Sequence, residues 1–149
     1  QQPCKLVVAG RGCEDFRQRY KIPDSGYGAD IVFTGWVDQQ DLPALYRSAS
    51  LFLYPSNMEA FPIPITEALA SGSPIVTSNA YGLKELAGDA ALLVDPSAPG
   101  EVANAVKRIL QDEKLRSDLR QRAMRRSEAF DWGRCCEKTL EALEGLAAS

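Results

Sequence analysis

Glu59 and Glu67 stand with seven residues between them in the stretch Pro55-Ser56-Asn57-Met58-Glu59-Ala60-Phe61-Pro62-Ile63-Pro64-Ile65-Thr66-Glu67-Ala68-Leu69-Ala70-Ser71-Gly72-Ser73-Pro74. Pro64 suits the first turn of a helix, where its missing N–H costs no hydrogen bond. A helix is therefore predicted to begin near Pro64, with Glu59 just before it and Glu67 in its first turn. Such a terminus offers unpaired N–H groups and about half a positive charge, which suits a phosphate. Carboxylates beside a phosphate repel it and are better used on hydroxyl groups, from which they accept hydrogen bonds. Carboxylate, helix terminus, carboxylate is the order that matches a nucleotide sugar, with diols at both ends and a diphosphate between. The plainer reading makes Glu59 a loop acid and leaves Glu67 to complement the helix dipole, worth about 0.3–1 kcal/mol.

Those residues need a scaffold, and the rest of the chain supplies one. Short apolar runs at Lys5–Gly10, Ile31–Phe33, Leu51–Tyr54, Pro74–Ser78 and Ala91–Val94 read as buried parallel strands. Helical spacing fills the gaps. Asp38 is placed to cap a helix running to about Ser48, with Leu42, Leu45 and Tyr46 on one face. Ile65, Ala68 and Leu69 mark a helix ending near Ser71-Gly72. Another starts near Ser97 and Pro99, with Val102, Val106, Ile109 and Leu110 inward. Leu115, Leu119 and Arg122 continue towards Phe130, and Asp131 caps a last helix bearing Leu140, Leu143 and Leu146. Strands alternating with helices imply an α/β fold, a doubly wound, Rossmann-like parallel sheet with helices on both faces. Ligands in such sheets bind beyond the carboxyl ends of the strands, which here means the loops after Gly10, Gly35, Ser56 and Ser78.

The Pro55–Pro74 series resembles the Glu-x7-Glu signature of retaining GT-B enzymes of glycosyltransferase family 4 (group 1). The pattern Pro-Ser-x-x-Glu-Gly-Phe-Gly-Leu-Pro-x-x-Glu-Ala-x-Ala-x-Gly-x-Pro-Val is met at Pro55, Ser56, Glu59, Phe61, Pro64, Glu67, Ala68, Ala70, Gly72 and Pro74. The resemblance extends to Val8–Gly12, Val32–Val37, Leu45–Ala49, Gly82–Glu85 and Phe130–Trp132, and so covers nearly the whole chain. It implies a donor-binding domain in which Glu67 takes the nucleotide ribose and Glu59, the catalytic candidate, the donor sugar's hydroxyls. Phe61, Pro62 and Ile63 would line the sugar and diphosphate, and Val37 would lie near the nucleobase. Gly10 and Gly12 would let backbone approach the ligand closely, although a Gly-x-Gly also serves as an ordinary strand-end turn. The implied reaction is retaining transfer of a hexosyl group from a nucleoside-diphosphate sugar. No cofactor or metal is expected, since no Asp-x-Asp is present to bridge a diphosphate.

Ala60 and Pro62 replace the family's usual glycines, and Pro62 removes a backbone donor where a phosphate would lie; the Ile63 N–H remains. The family's domain also opens with a further strand and helix bearing an arginine and a lysine for the diphosphate, and nothing before Lys5 supplies them. The sequence starts at Gln1 without an initiator methionine. The expectation is one nucleotide-sugar-binding domain over residues 1–149, a piece of a two-domain enzyme whose N-terminal acceptor-binding domain is its partner. If the family's strand order holds, the absent first strand belongs between Lys5–Gly10 and Leu51–Tyr54, and those two strands are predicted to close directly on each other.

Composition bounds the alternatives. A net charge of −3 gives no general attraction to nucleic acid, and the basic residues between Lys114 and Arg126 are interleaved with acids as on a solvated helix face. No apolar run is long enough to span a bilayer. Four cysteines without a C-x-x-C, and no histidine, leave little for a zinc site and point to reduced thiols in the cytoplasm; the absent domain leaves room for peripheral membrane attachment. A nucleotide-sugar epimerase of GT-B architecture fits the proline-glycine series poorly. A regulatory module resembling a receiver domain should carry an acidic cluster at the strand ends, which this chain lacks.

Overall fold

Every apolar run marked as a strand is one in the computed structural model, which describes residues 4–13 and 15–147. These are β1 (Leu6–Ala9), β2 (Ile31–Gly35), β3 (Phe52–Tyr54), β4 (Ile75–Ser78) and β5 (Ala91–Val94). They lie in two parallel sheets, β1-β2 and β3-β4-β5, which fall in two compact units, residues 1–42 and 43–149. The α/β class and the parallel pairing are as the sequence predicts.

In the first unit, Leu6 pairs with Ile31, Val7 with Val32 and Val8 with Phe33; the register then slips, so that Ala9 meets Gly35. The crossover holds a short helix α1 (Phe16–Arg19) and a 3₁₀ turn, Gly26–Asp30. Neither is visible in the sequence pattern, because α1 buries no side chain and the turn buries only Gly28. What orders this crossover is Arg17. Its Nη1 donates to the Pro23 carbonyl at 2.8 Å and to Asp24 at 3.1 Å, and its Nη2 to the carbonyls of Gly28 and Ile31 at 2.9 and 3.0 Å. The guanidinium also lies 5.4 Å from the Phe33 ring centre. A planar guanidinium fork carries five N–H donors spread over three nitrogens and here serves four acceptors, more than the three donors of an ammonium can reach from one nitrogen. Arg17→Ala is expected to destabilise this unit by about 1.5–3 kcal/mol, the worth of hydrogen bonds to a charged donor, and Arg17→Lys to recover little of it. Urea unfolding followed by Trp36 fluorescence in a Trp132→Phe background reads this; a loss fully restored by lysine would refute the fork.

In the second unit, β4 is the central strand and is buried along its length. Its Val76 packs with Val94, Ala105, Ile109 and Leu119. Ile109 and Ala105 come from α5 (Pro99–Gln111) and Leu119 from α6 (Glu113–Ser127), on the spacing that the sequence shows. Full burial of each branched aliphatic side chain stabilises by roughly 1.5–3 kcal/mol. On α3 (Ile63–Ala70), Ile65, Ala68 and Leu69 are wholly buried. The end of α3 is a Schellman motif: Ser73 N–H reaches the Ala68 carbonyl at 2.9 Å and Gly72 N–H the Leu69 carbonyl at 3.0 Å, with Gly72 at φ +66°. A five-residue helix α4 (Leu83–Ala87) follows β4. The last helix, α7 (Trp132–Ala147), starts as read, with Asp131 accepting the Arg134 N–H at 2.8 Å, but Leu140 and Leu143 on it are 57% and 59% exposed.

Two expectations need correction. Asp38 does not cap a helix with its side chain: its backbone carbonyl accepts the N–H groups of Asp41 and Leu42 in a turn, and α2 (Leu42–Ser48) starts only at Leu42. Nor do β1 and β3 pair, since β1 hydrogen-bonds to β2 and β3 to β4 among the described residues. Each sheet keeps the pairing of strands that follow one another in sequence. β1 and β3 are not consecutive, and β2 and β4 are their hydrogen-bonded neighbours.

Candidate functional site

The approach to α3 carries the two carboxylates. Pro62 sits at the N-cap in extended conformation (φ −75°, ψ 100°) and is buried, Ile63 is the first helical residue, and Pro64 lies within the first turn. The helix gives the Ile63 N–H no carbonyl partner, so the donor left by the loss of glycine at position 62 is in place. Beginning at Ile63 moves Glu67 out of the first turn, which contains no acid. Dipole complementation falls off beyond that turn, and the plainer reading of Glu67 loses its main physical support.

Both carboxylates are held by tyrosines. Tyr46, on α2, donates to Glu67 Oε2 at 3.0 Å. Tyr54, at the end of β3, donates to Glu59 Oε1 at 2.9 Å, and Ser56 donates to the same oxygen at 2.9 Å. The other oxygens, Oε1 of Glu67 and Oε2 of Glu59, accept no hydrogen bond from a described residue. Phe52 lies between the two tyrosines, edge-on to Tyr46 at 5.1 Å and stacked with Tyr54 at 5.8 Å. An aromatic row therefore joins the two acids from beneath. Burial, followed by the charge of Glu67, pushes the Tyr46 hydroxyl well above the ordinary tyrosine range; burial and the hydrogen bond to Glu59 push Tyr54 the same way. Both hydroxyls thus stay protonated, as donors, across the working range of a protein.

Phe61 and Ile63 are 56% and 49% exposed at the mouth of this loop. The structure thus brings Glu59, Phe61, Pro62 and Ile63 together at the approach to one helix, with Glu67 beyond its first turn. Gly10, Gly12 and Val37 lie in the first unit. Gly10 and Gly12 have φ of +132° and +75°, and a Cβ on either would meet nothing within 4 Å; the turn accounts for both glycines without a ligand. Val37 is half-buried. Arg11 lies 4.6 Å over the Trp36 ring beside them. The sequence reading did not single out Tyr46, Tyr54 or Ser56 as site residues. Ser56 is marked only as a matched position of the motif, Tyr54 only as the end of β3 before the carboxylate loop, and Tyr46 only as one residue of the apolar face of the preceding helix.

Residues 1–126 match the family described as Glycosyl transferases group 1. The chain belongs to that family. Among curated relatives, it is 38% identical over 142 residues to the O-antigen chain mannosyltransferase B of Escherichia coli, covering 95% of this chain and 37% of that protein. Among solved structures, the sucrose-phosphate synthase of Thermosynechococcus elongatus matches with a TM-score of 0.87 and 28% identity, over 97% of this chain and 39% of that one. The fold of Anabaena HepE, solved in complex with UDP-glucose, matches with a TM-score of 0.83 at 24% identity, over 95% of this chain and 41% of that one. The group 1 chain described here thus spans about two-fifths of the length of these proteins, of which the solved structures are GT-B glycosyltransferases. No helix among the described residues is long and apolar enough to cross a membrane.

Proposed function

We propose that this chain is the nucleotide-sugar-binding half of a retaining group 1 glycosyl transferase, one that moves a hexosyl group from a nucleoside-diphosphate sugar to an acceptor. The observation that supports this best is the pair of half-engaged carboxylates. Each has one oxygen fixed by a tyrosine hydroxyl and the other open, Glu59 before and Glu67 within a helix whose first N–H is unspent. Fixed acceptors of this kind recognise hydroxyl groups without paying for reorientation on binding. Glu67 is assigned the ribose diol, the Ile63 N–H the diphosphate, and Glu59 the hydroxyls of the donor sugar. In the reaction, the bond from the anomeric carbon to the diphosphate breaks and a bond to the acceptor oxygen forms on the same face. Fixed backbone donors, rather than a metal, would stabilise the departing diphosphate. The acceptor site and the remaining catalytic groups are assigned to a partner domain of the same enzyme.

UDP and UDP-glucose are convenient first probes, followed by other nucleoside diphosphates and their sugars. Isothermal titration of the chain is expected to show binding of at least one nucleoside diphosphate and its sugar. Glu59→Ala should weaken the sugar nucleotide about tenfold or more, the worth of a hydrogen bond to a charged group, while leaving the nucleoside diphosphate alone unchanged. The purified chain by itself is expected to transfer no sugar. Saturation by none of the panel would sink the assignment.

A further inference from the structure

We propose that Arg126 and Phe130 are positioning residues that hold the Phe61 segment of the carboxylate loop in place for the donor sugar. This inference rests on the reading of residues 59–63 as the donor loop.

The loop is gripped from two sides. On one side Gly82, just before α4, lies against its backbone: a Cβ built on Gly82 would fall 2.2 Å from the Glu59 carbonyl oxygen and 2.9 Å from that of Ala60. On the other side the Phe130 ring meets the ring of Phe61 edge-on, with centres 6.2 Å apart. These two supports are tied together by one side chain. Arg126 donates from Nε to the Leu86 carbonyl at 3.0 Å and from Nη2 to the Glu85 carbonyl at 2.7 Å, near the end of α4. The same guanidinium lies over the Phe130 ring, 5.3 Å from its centre. Helix carbonyls with no partner of their own attract a cation, and a planar guanidinium can satisfy them while stacking on an aromatic face. The contacts thus close a circuit: loop, Gly82, α4, Arg126, Phe130, and back to the loop at Phe61.

The consequence is specific to one end of the ligand. Phe61 is mostly exposed, so its place is set by few contacts besides Phe130. Glu67 is fixed separately, by Tyr46. Loss of the bracket should therefore loosen the grip on the sugar and spare the grip on the nucleotide.

The test is titration of the unaltered chain, Phe130→Ala, Phe130→Leu and Phe130→Tyr with UDP and UDP-glucose, each protein first checked for an unchanged circular dichroism spectrum. Phe130→Ala, or Phe130→Leu if the alanine variant does not fold, is expected to weaken UDP-glucose about two- to tenfold, the worth of an edge-to-face pair. UDP should bind as before, and Phe130→Tyr, which keeps the ring, should restore the affinity. Equal loss for both ligands would make Phe130 a general packing residue and overturn the proposal, as would no loss for either. If the unaltered chain binds another nucleoside diphosphate and its sugar instead, that pair replaces UDP and UDP-glucose in the comparison; binding to none of the panel would overturn the donor-loop reading itself, and the bracket's role with it.

Discussion

Glu67→Ala is expected to weaken binding of a nucleoside diphosphate to this chain about ten- to a hundredfold, because one hydrogen bond to a charged group is worth roughly 1.5–3 kcal/mol. The geometry makes the loss nearly a pure one. Tyr46 fixes Oε2 of Glu67 at 3.0 Å, so the open Oε1 has a set direction before the ligand arrives. Removing the carboxylate removes both a positioned acceptor and the partner of the hydroxyl of Tyr46, a buried residue. The helix should survive, since alanine is a strong helix former and Ile65, Ala68 and Leu69 keep α3 on the core. Titration with UDP, compared between the variant and the unaltered chain, checks this. An unchanged dissociation constant would show that Glu67 touches no nucleotide.

Gly82→Ala should be the most damaging small substitution near the site. The backbone at Gly82 has φ +78° and ψ −49°, close to a γ-turn of the kind that is strained for residues bearing a side chain. That conformation alone costs on the order of 1–3 kcal/mol. The added Cβ would also overlap the Glu59 carbonyl oxygen at 2.2 Å, and no rotamer can relieve a clash between a Cβ and backbone. The expected result is a fall in thermal midpoint of about 5–10 °C for a chain of this size, with loss of sugar-nucleotide binding as the Glu59 loop is displaced. Gly145→Ala is the control: its Cβ would meet nothing within 4 Å, and in a helix alanine is favoured over glycine by roughly 0.5–1 kcal/mol. Equal midpoints for the two variants would contradict the overlap.

The strands were legible because β4 and its neighbours are apolar runs closed by proline, glycine or serine, a signal carried within a few residues. The longer helices α5 and α6 were legible for the same reason, through Val102, Val106, Ile109 and Leu119. The short elements were not. α1 buries no side chain, and α4 opens on a glycine that caps nothing with a side chain, so neither leaves a periodic trace. At the site, the carboxylates could be read because a proline and a run of small residues frame them locally. Their tyrosine partners could not, since Tyr46 and Glu67 are 21 residues apart and a tyrosine on an apolar face reads as core. Its hydroxyl has a destination that only tertiary structure reveals. The Arg126 contacts to Glu85 and Leu86 are hidden in the same way.

Helix α7 bears on how the protein comes apart. It is 16 residues long, and residues 132–146 are all exposed. Isolated helices of about this length are marginal in water, and the Asp131 cap adds only about 1 kcal/mol. β4, by contrast, is sealed on both faces. The free energy of opening is therefore lower along α7 than at β4, where it approaches the full unfolding value. Amide protons of the last helix should exchange with solvent long before those of the sheet, and a protease would trim the chain back towards Asp131 while the core stayed folded.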